Sequence, residues 1–116
     1  MDEERKELGK IDRFDVGIGG YQDAMLGIHI TFTGGGGWGI NTSMSTWSPS
    51  MIKITEHTKW TEVERSQHFD EIMRFIDETL SKAKVRYTHQ LRGIPVEITF
   101  DDKETLKSWR VLTEVL

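Results

Sequence analysis

Residues 26–43, LGIHITFTGGGGWGINTS, decide the fold. In LGIHITFT, Ile28, Ile30 and Phe32 fall on one side and His29, Thr31 and Thr33 on the other, the period of two that marks a strand with one buried face. Four glycines, Gly34 to Gly37, then interrupt, and WGINTS returns as a third strand. Glycine reaches positive φ without a Cβ penalty, which hairpin turns require, so the stretch predicts two antiparallel strands with the glycines at their tip. No Lys-Ser/Thr follows the glycines and no helix starts there, which excludes a Walker-type phosphate loop. Four glycines nevertheless exceed a two-residue turn. Bare backbone N–H groups can approach an anion closely, so Gly36 and Gly37, beside Trp38, form a candidate ligand-binding lid.

Upstream, KIDRFDVGI alternates Phe14, Val16 and Ile18 against Arg13, Asp15 and Gly17, a half-buried first strand after a charged segment at 1–9. Downstream, residues 45–59 lack a sustained period and read as an ordered loop with room for a short strand at 51–55. From Thr61 to Val85 the chain predicts an amphipathic helix. Its apolar stripe is Val63, Phe69, Ile72, Met73, Ile76, Leu80 and Ala83, with Phe75 off the stripe. Thr61 and Glu64 match a capping box, and Lys82 and Lys84 suit the negative end of the helix dipole. THQLRG reads as a helical turn closed by Gly93. IPVEITF reads as a strand with Val96, Ile98 and Phe100 on one face, and DDKE as a turn. The closing TLKSWRVLTEVL reads as a last strand with Trp109, Val111 and Val115 on one face and Leu106, Arg110, Leu112 and Leu116 on the other. The expectation is one α+β domain spanning residues 1–116, an antiparallel sheet of about five strands on one long helix in the order β-β-β-α-β-β.

The composition narrows the partners. With 116 residues the chain suits one domain of modest core, for which self-association into a homo-oligomer is an expectation. A net charge of −4 speaks against duplex nucleic acid or an anionic membrane as partner. The chain has no cysteine, which removes disulfides and thiolate chemistry, and its charged start lacks a signal-peptide core. No run approaches a membrane span, so the expectation is a soluble cytoplasmic protein.

Four tryptophans are many for this length, and Trp38, Trp47 and Trp60 fall at or beside loops, where indole rings stack on bases as readily as they cap a core. Arg110 sits among leucines and needs an anion. Asp12, Asp15 and a neighbouring subunit's carboxylate are the plain partners, and a ligand phosphate is the functional one. Arg92, at a turn mouth before Gly93, is a second candidate cation. His29, His57, His68 and His89 show no metal-binding spacing. His68 with Glu64 and Glu71 reads as a solvated helix face, and no nucleophile motif occurs. The expectation is a protein without catalytic residues, metal or cofactor.

GGYQDAMLG (19–27), GGWG (36–39), KWTE (59–62) and LRGIPVEITF with LKSWRVLTEVL (91–100, 106–116) together resemble a family of small phage- and prophage-encoded proteins, over nearly the whole chain. The chain is similar to the Thoeris anti-defence type 1 sponges, which bind cyclic ADP-ribose isomers, and in some members cyclic oligonucleotides, without cleaving them. The resemblance implies an assembly of dimers with pockets between protomers, a small cyclic nucleotide signal as partner, and a host bacterial cytoplasm. It also suggests roles: Trp38 or Trp60 stacking a purine, the glycines and Thr42 near a pyrophosphate, Arg92 and Arg110 neutralising it. The four-glycine run is longer than the resemblance implies and leaves lid geometry open. Two other readings stand beside it. One is an inhibitor that engages a host defence enzyme through Glu62, Glu64, Asp70 and Glu71. The other is a structural phage protein without a small ligand.

Overall fold

The structure, a computed structural model, describes residues 4–20, 25–47 and 62–116, residues 45–47 by backbone alone. Trp60, Thr61 of the capping box and the short strand at 51–55 lie outside the described residues, as does the Trp47 side chain. Five strands form one antiparallel sheet: β1 (Arg5–Gly19), β2 (Met25–Gly34), β3 (Gly39–Trp47), β4 (Pro95–Phe100) and β5 (Leu106–Val111), in the order β3-β2-β1-β4-β5. Among the described residues one α-helix, α1 (Glu62–Ala83), lies in sequence between β3 and β4, which stand on opposite sides of β1, β4 directly beside it and β3 beyond β2. Fold class and element order along the chain are those the sequence pattern predicts.

β1 begins at Arg5, well before the alternation that announced it, because its charged first half is held by backbone pairing. Arg5 to Lys10 run opposite Phe100 to Pro95. Asp12 is an extra residue in the β1–β2 ladder, and this bulge puts Ile11 on the same face as Phe14. The 3-10 turn Thr88–Leu91 and Gly93 dock there, with Gly93 N–H donating to Ile11 O at 2.7 Å and Ile11 N–H donating to Ile94 O at 3.0 Å. Gly93 has φ 88°, which suits glycine at this turn.

The core face joins Ile11, Phe14, Ile28, Ile30, Phe32, Val96, Ile98, Phe100 and Val111 to the second half of α1. Here the helix stripe differs from the predicted one. Ile72, Phe75, Ile76, Thr79, Leu80 and Ala83 face the sheet, and Val63, Phe69 and Met73 are exposed. Phe75, expected off the stripe, stacks on Phe14 at 6.2 Å and meets Trp109 edge-on at 6.2 Å. The predicted stripe followed hydrophobicity along the whole helix, whereas only its second half overlies the sheet. The helix ends in a Schellman motif, Val85 N–H to Leu80 O and Lys84 N–H to Ser81 O, with Lys84 rather than glycine at φ 59°.

β5 departs from the predicted pattern twice. Ser108 pairs with Thr99 but Leu106 pairs with Phe100, so Lys107 is an extra residue and Leu106 joins Trp109 and Val111 on the core face. The strand stops at Val111, and Thr113–Val115 form a 3-10 turn. Val115 and Leu116 are therefore not strand residues.

The sheet coils strongly. Phe32 of β2 and Trp109 of β5 stand three strand spacings apart, about 14 Å in a flat sheet, yet their ring centroids are 5.0 Å apart. The outer strands β3 and β5 thus curl toward each other around the second half of α1.

Candidate functional site

That coiling creates a cleft of about 420 Å³ between the two edge strands. β3 contributes Thr42 and Met44, α1 contributes Phe75, Glu78, Thr79 and Lys82, and β5 contributes Leu106 to Val111. Each helical member recurs at three- or four-residue spacing, so a single helix face supplies an aromatic ring, a hydroxyl and an ammonium group to one opening. Trp109 forms the floor. Its indole is half-buried, fixed by Phe32 and Phe75, and held at the base of the cleft.

Charge favours an anion. Three cationic residues, Lys82, Lys107 and Arg110, border the cleft against one carboxylate, Glu78. Two are already engaged: Lys107 with Glu4, and Arg110 with Glu97 at 3.2 Å and bidentately with Glu114 at 3.0 and 3.1 Å. Hydrogen bonds that Arg110 donates to Glu114 and then to Glu97 raise its pKa above the ordinary value, and the Arg110 hydrogen bond lowers that of Glu114. Lys82 has no hydrogen-bond or ion-pair partner among the described residues.

The residues predicted to form one site divide between locations. Thr42 and Arg110 reach this cleft from opposite edges of the sheet, but the Arg110 guanidinium is half-exposed and held by carboxylates of its own chain, neither of them the expected Asp12 or Asp15. Gly36 and Gly37 turn the β2–β3 hairpin at φ 86° and 79°. Trp38 is not poised over that tip. It folds back onto Gly34 and Gly9 and meets Phe100 edge-on at 5.8 Å, because two missing Cβ atoms leave a slot its ring fills. Arg92 lies beside Asp12 at 3.9 Å, outside the residues that line the cleft. Trp60 lies outside the described residues. Sequence reasoning assigned Lys82 to the helix dipole and placed Trp109 on one face of the last strand without giving it a role. The spacing Phe75, Thr79, Lys82 was the signal that joins them.

A second hollow, about 560 Å³, lies on the outer face of the sheet over Gly17, Gly19 and Gly20. Its polar groups are paired along and across the strands. Arg13 donates to Asp15 at 2.9 Å and Thr31 Oγ1 to Asn41 Oδ1 at 2.7 Å. His29 Nε2 lies 3.0 Å from Gly17 O and 2.9 Å from Met25 O. Carbonyls only accept, so Nε2 carries a hydrogen, and Ser43 Oγ–H donates to Nδ1 at 2.8 Å. A serine hydroxyl on an imidazole is the beginning of a nucleophile–base pair. Here His29 and Ser43 are direct cross-strand partners and each polar group is satisfied, which is the arrangement of a structural network. The cleft, with a fixed indole and a cation that has no partner among the described residues, is the stronger candidate.

Among the described residues no group of three or more His, Asp or Glu side chains could hold a metal ion, and no helix is long and apolar enough to cross a membrane. Compared with protein-family models, curated proteins and solved structures, the chain matches none of them.

Proposed function

We propose that this chain is a binding protein that captures a small anionic molecule bearing a flat ring, of the cyclic nucleotide class, and holds it without chemical change. The observation that carries the reading is the convergence of Thr42, Trp109 and Lys82 on one cleft of about 420 Å³. Small-molecule sites commonly occupy about 300–1,000 Å³. An indole held at the floor offers a stacking surface, and Lys82 offers the charge. The resemblance to anti-defence sponges supplies the ligand class and the phage setting. It also supplies the expectation of a dimer-based assembly in a bacterial cytoplasm.

Calorimetric titration with cyclic ADP-ribose isomers and with cyclic dinucleotides tests this, followed by chromatography of the recovered ligand and sedimentation of the complex. Saturable binding of one class with unaltered ligand is expected. Turnover of the ligand, or no heat with either class, overturns the reading. In the second case a stable complex with a protein partner would favour the inhibitor reading.

A further inference from the structure

A different part of the sheet carries a second site. On the outer face, beside the glycine hairpin, Leu8, Pro95, Leu112 and Val115 wall a groove of about 560 Å³ whose floor is the backbone of Gly9, Gly34 and Gly35. Its position follows from register: Lys10 stands between Thr33 on one side and Pro95 on the other. Leu112 N–H donates to Pro95 O at 3.0 Å, and this fastens the chain leading into the turn that carries Val115 against the same edge.

Two features of the groove are unusual together. Leu8 is 68% exposed and Val115 64% exposed, apolar side chains facing each other across a concave surface. Lys10 is the only charged residue among the described lining, and it has no hydrogen-bond or ion-pair partner among the described residues. The carboxylate nearest in register, Glu97 opposite Leu8, is already held by Arg110. Among the described residues the groove therefore offers an apolar trough lined by one positive charge that no carboxylate pairs. Its complement is a molecule with one negative head and an apolar body.

We infer that this groove binds a small amphiphilic monoanion, an aliphatic carboxylate, with its chain along Leu8, Leu112 and Val115 and its head on the Lys10 ammonium group. The site shares no lining residue with the cleft between the edge strands and does not rest on the function assigned to it.

The test is a calorimetric titration of the full chain with octanoate, 1-octanol and acetate, repeated on Lys10→Gln and Leu8→Ser variants. Because both side chains are exposed, each variant retains the parent's circular dichroism spectrum and melting point. Octanoate binds saturably and acetate does not. Lys10→Gln weakens octanoate about fivefold, as loss of a half-exposed ion pair implies, and leaves 1-octanol unchanged. Leu8→Ser weakens both. Absence of octanoate binding overturns the proposal, as does octanoate affinity indifferent to Lys10→Gln. Sedimentation of a dimer that Leu8→Ser dissociates also overturns it, since a second copy would then be the occupant.

Discussion

Replacing Gly34 with alanine tests the least expected role of the glycine run. A Cβ built on Gly34 would stand 2.2 Å from both Cε2 and Cζ2 of Trp38 and 2.5 Å from Nε1, distances no packing tolerates. The indole is rigid and has nowhere to slide. A Cβ on Gly9 would already meet Cη2 of the same ring at 3.1 Å, and Phe100 lies against it at 5.8 Å between centroids. Alanine at 34 must therefore expel Trp38 from its slot. Full deletion of a buried tryptophan costs about 3–5 kcal/mol, and a half-buried one that keeps partial contacts should cost about 2–3 kcal/mol. Unfolding entropy of about 2.1 cal/mol/K per residue converts each kcal/mol into about 4 °C for a chain of this size, so the melting point falls by about 8–12 °C.

The neighbouring glycines separate this clash from general loop rigidity. A Cβ on Gly35 would meet no atom within 4 Å, and the residue has no positive φ, so Gly35→Ala is neutral or slightly stabilising. Gly36 and Gly37 also have open space but lie at φ 86° and 79°, where a side chain costs about 1–2 kcal/mol. Calorimetric melting should rank Gly35→Ala above Gly36→Ala and Gly37→Ala, with Gly34→Ala lowest. In a Trp38→Ala background the Gly34 penalty should vanish. A Gly34→Ala protein that melts with Gly35→Ala, or a penalty that survives removal of Trp38, would refute the slot.

Further expectations concern the cleft, the helix end and acid. Trp109→Phe should fold and lose only part of the about 1–3 kcal/mol of stacking that removing the ring would cost a bound cyclic nucleotide, whereas Lys82→Gln should leave stability within about 0.5 kcal/mol and flatten the salt dependence of binding. Calorimetry at two ionic strengths reads both. Lys84→Gly should raise stability by about 1 kcal/mol, since glycine takes the left-handed C′ position without strain; urea titration measures it, net of the lost Lys84 contact to Leu116 O. Glu114 has its folded pKa lowered, first through the Arg110 hydrogen bond, so its contribution is present above the unfolded carboxylate value and fades as pH falls through the folded one. In urea titrations below about pH 4.3, Arg110→Met should therefore show a shallower acid loss than the parent.

The strands and their sequence along the chain were legible because alternation and glycine punctuation are local. Ile28, Ile30 and Phe32 lie inward as their spacing implies, and the glycines turn the hairpin. What escaped was set at a distance. The bulges at Asp12 and Lys107 are fixed by the opposing strand and moved Ile11 and Leu106 onto the core face. The first half of β1 has no apolar period and exists through pairing with β4. Phe75 turned inward because only the second half of α1 overlies the sheet. The site suffered most, since Arg110 found Glu97 across one ladder and Glu114 one turn on, a pairing visible only once β5 had ended at Val111.

The cleft is best understood as the unclosed seam of a coiled sheet. Among the described residues β3 and β5 are the terminal strands, each hydrogen-bonded on one side only, and Phe75, Thr79 and Lys82 of the helix stand between them. An open edge carries backbone donors and acceptors that proteins normally shield, and here two such edges face one opening. A ligand seated on Trp109 would lie within reach of both rims, whereas a protein partner adding a strand would cover one. Amide hydrogen exchange distinguishes these outcomes. A captured nucleotide should slow exchange along β3 near Thr42 and along β5 near Ser108 together, leaving the β2–β3 hairpin tip unchanged. Protection confined to one edge would place the occupant outside the seam and remove the physical basis for a small-molecule site there.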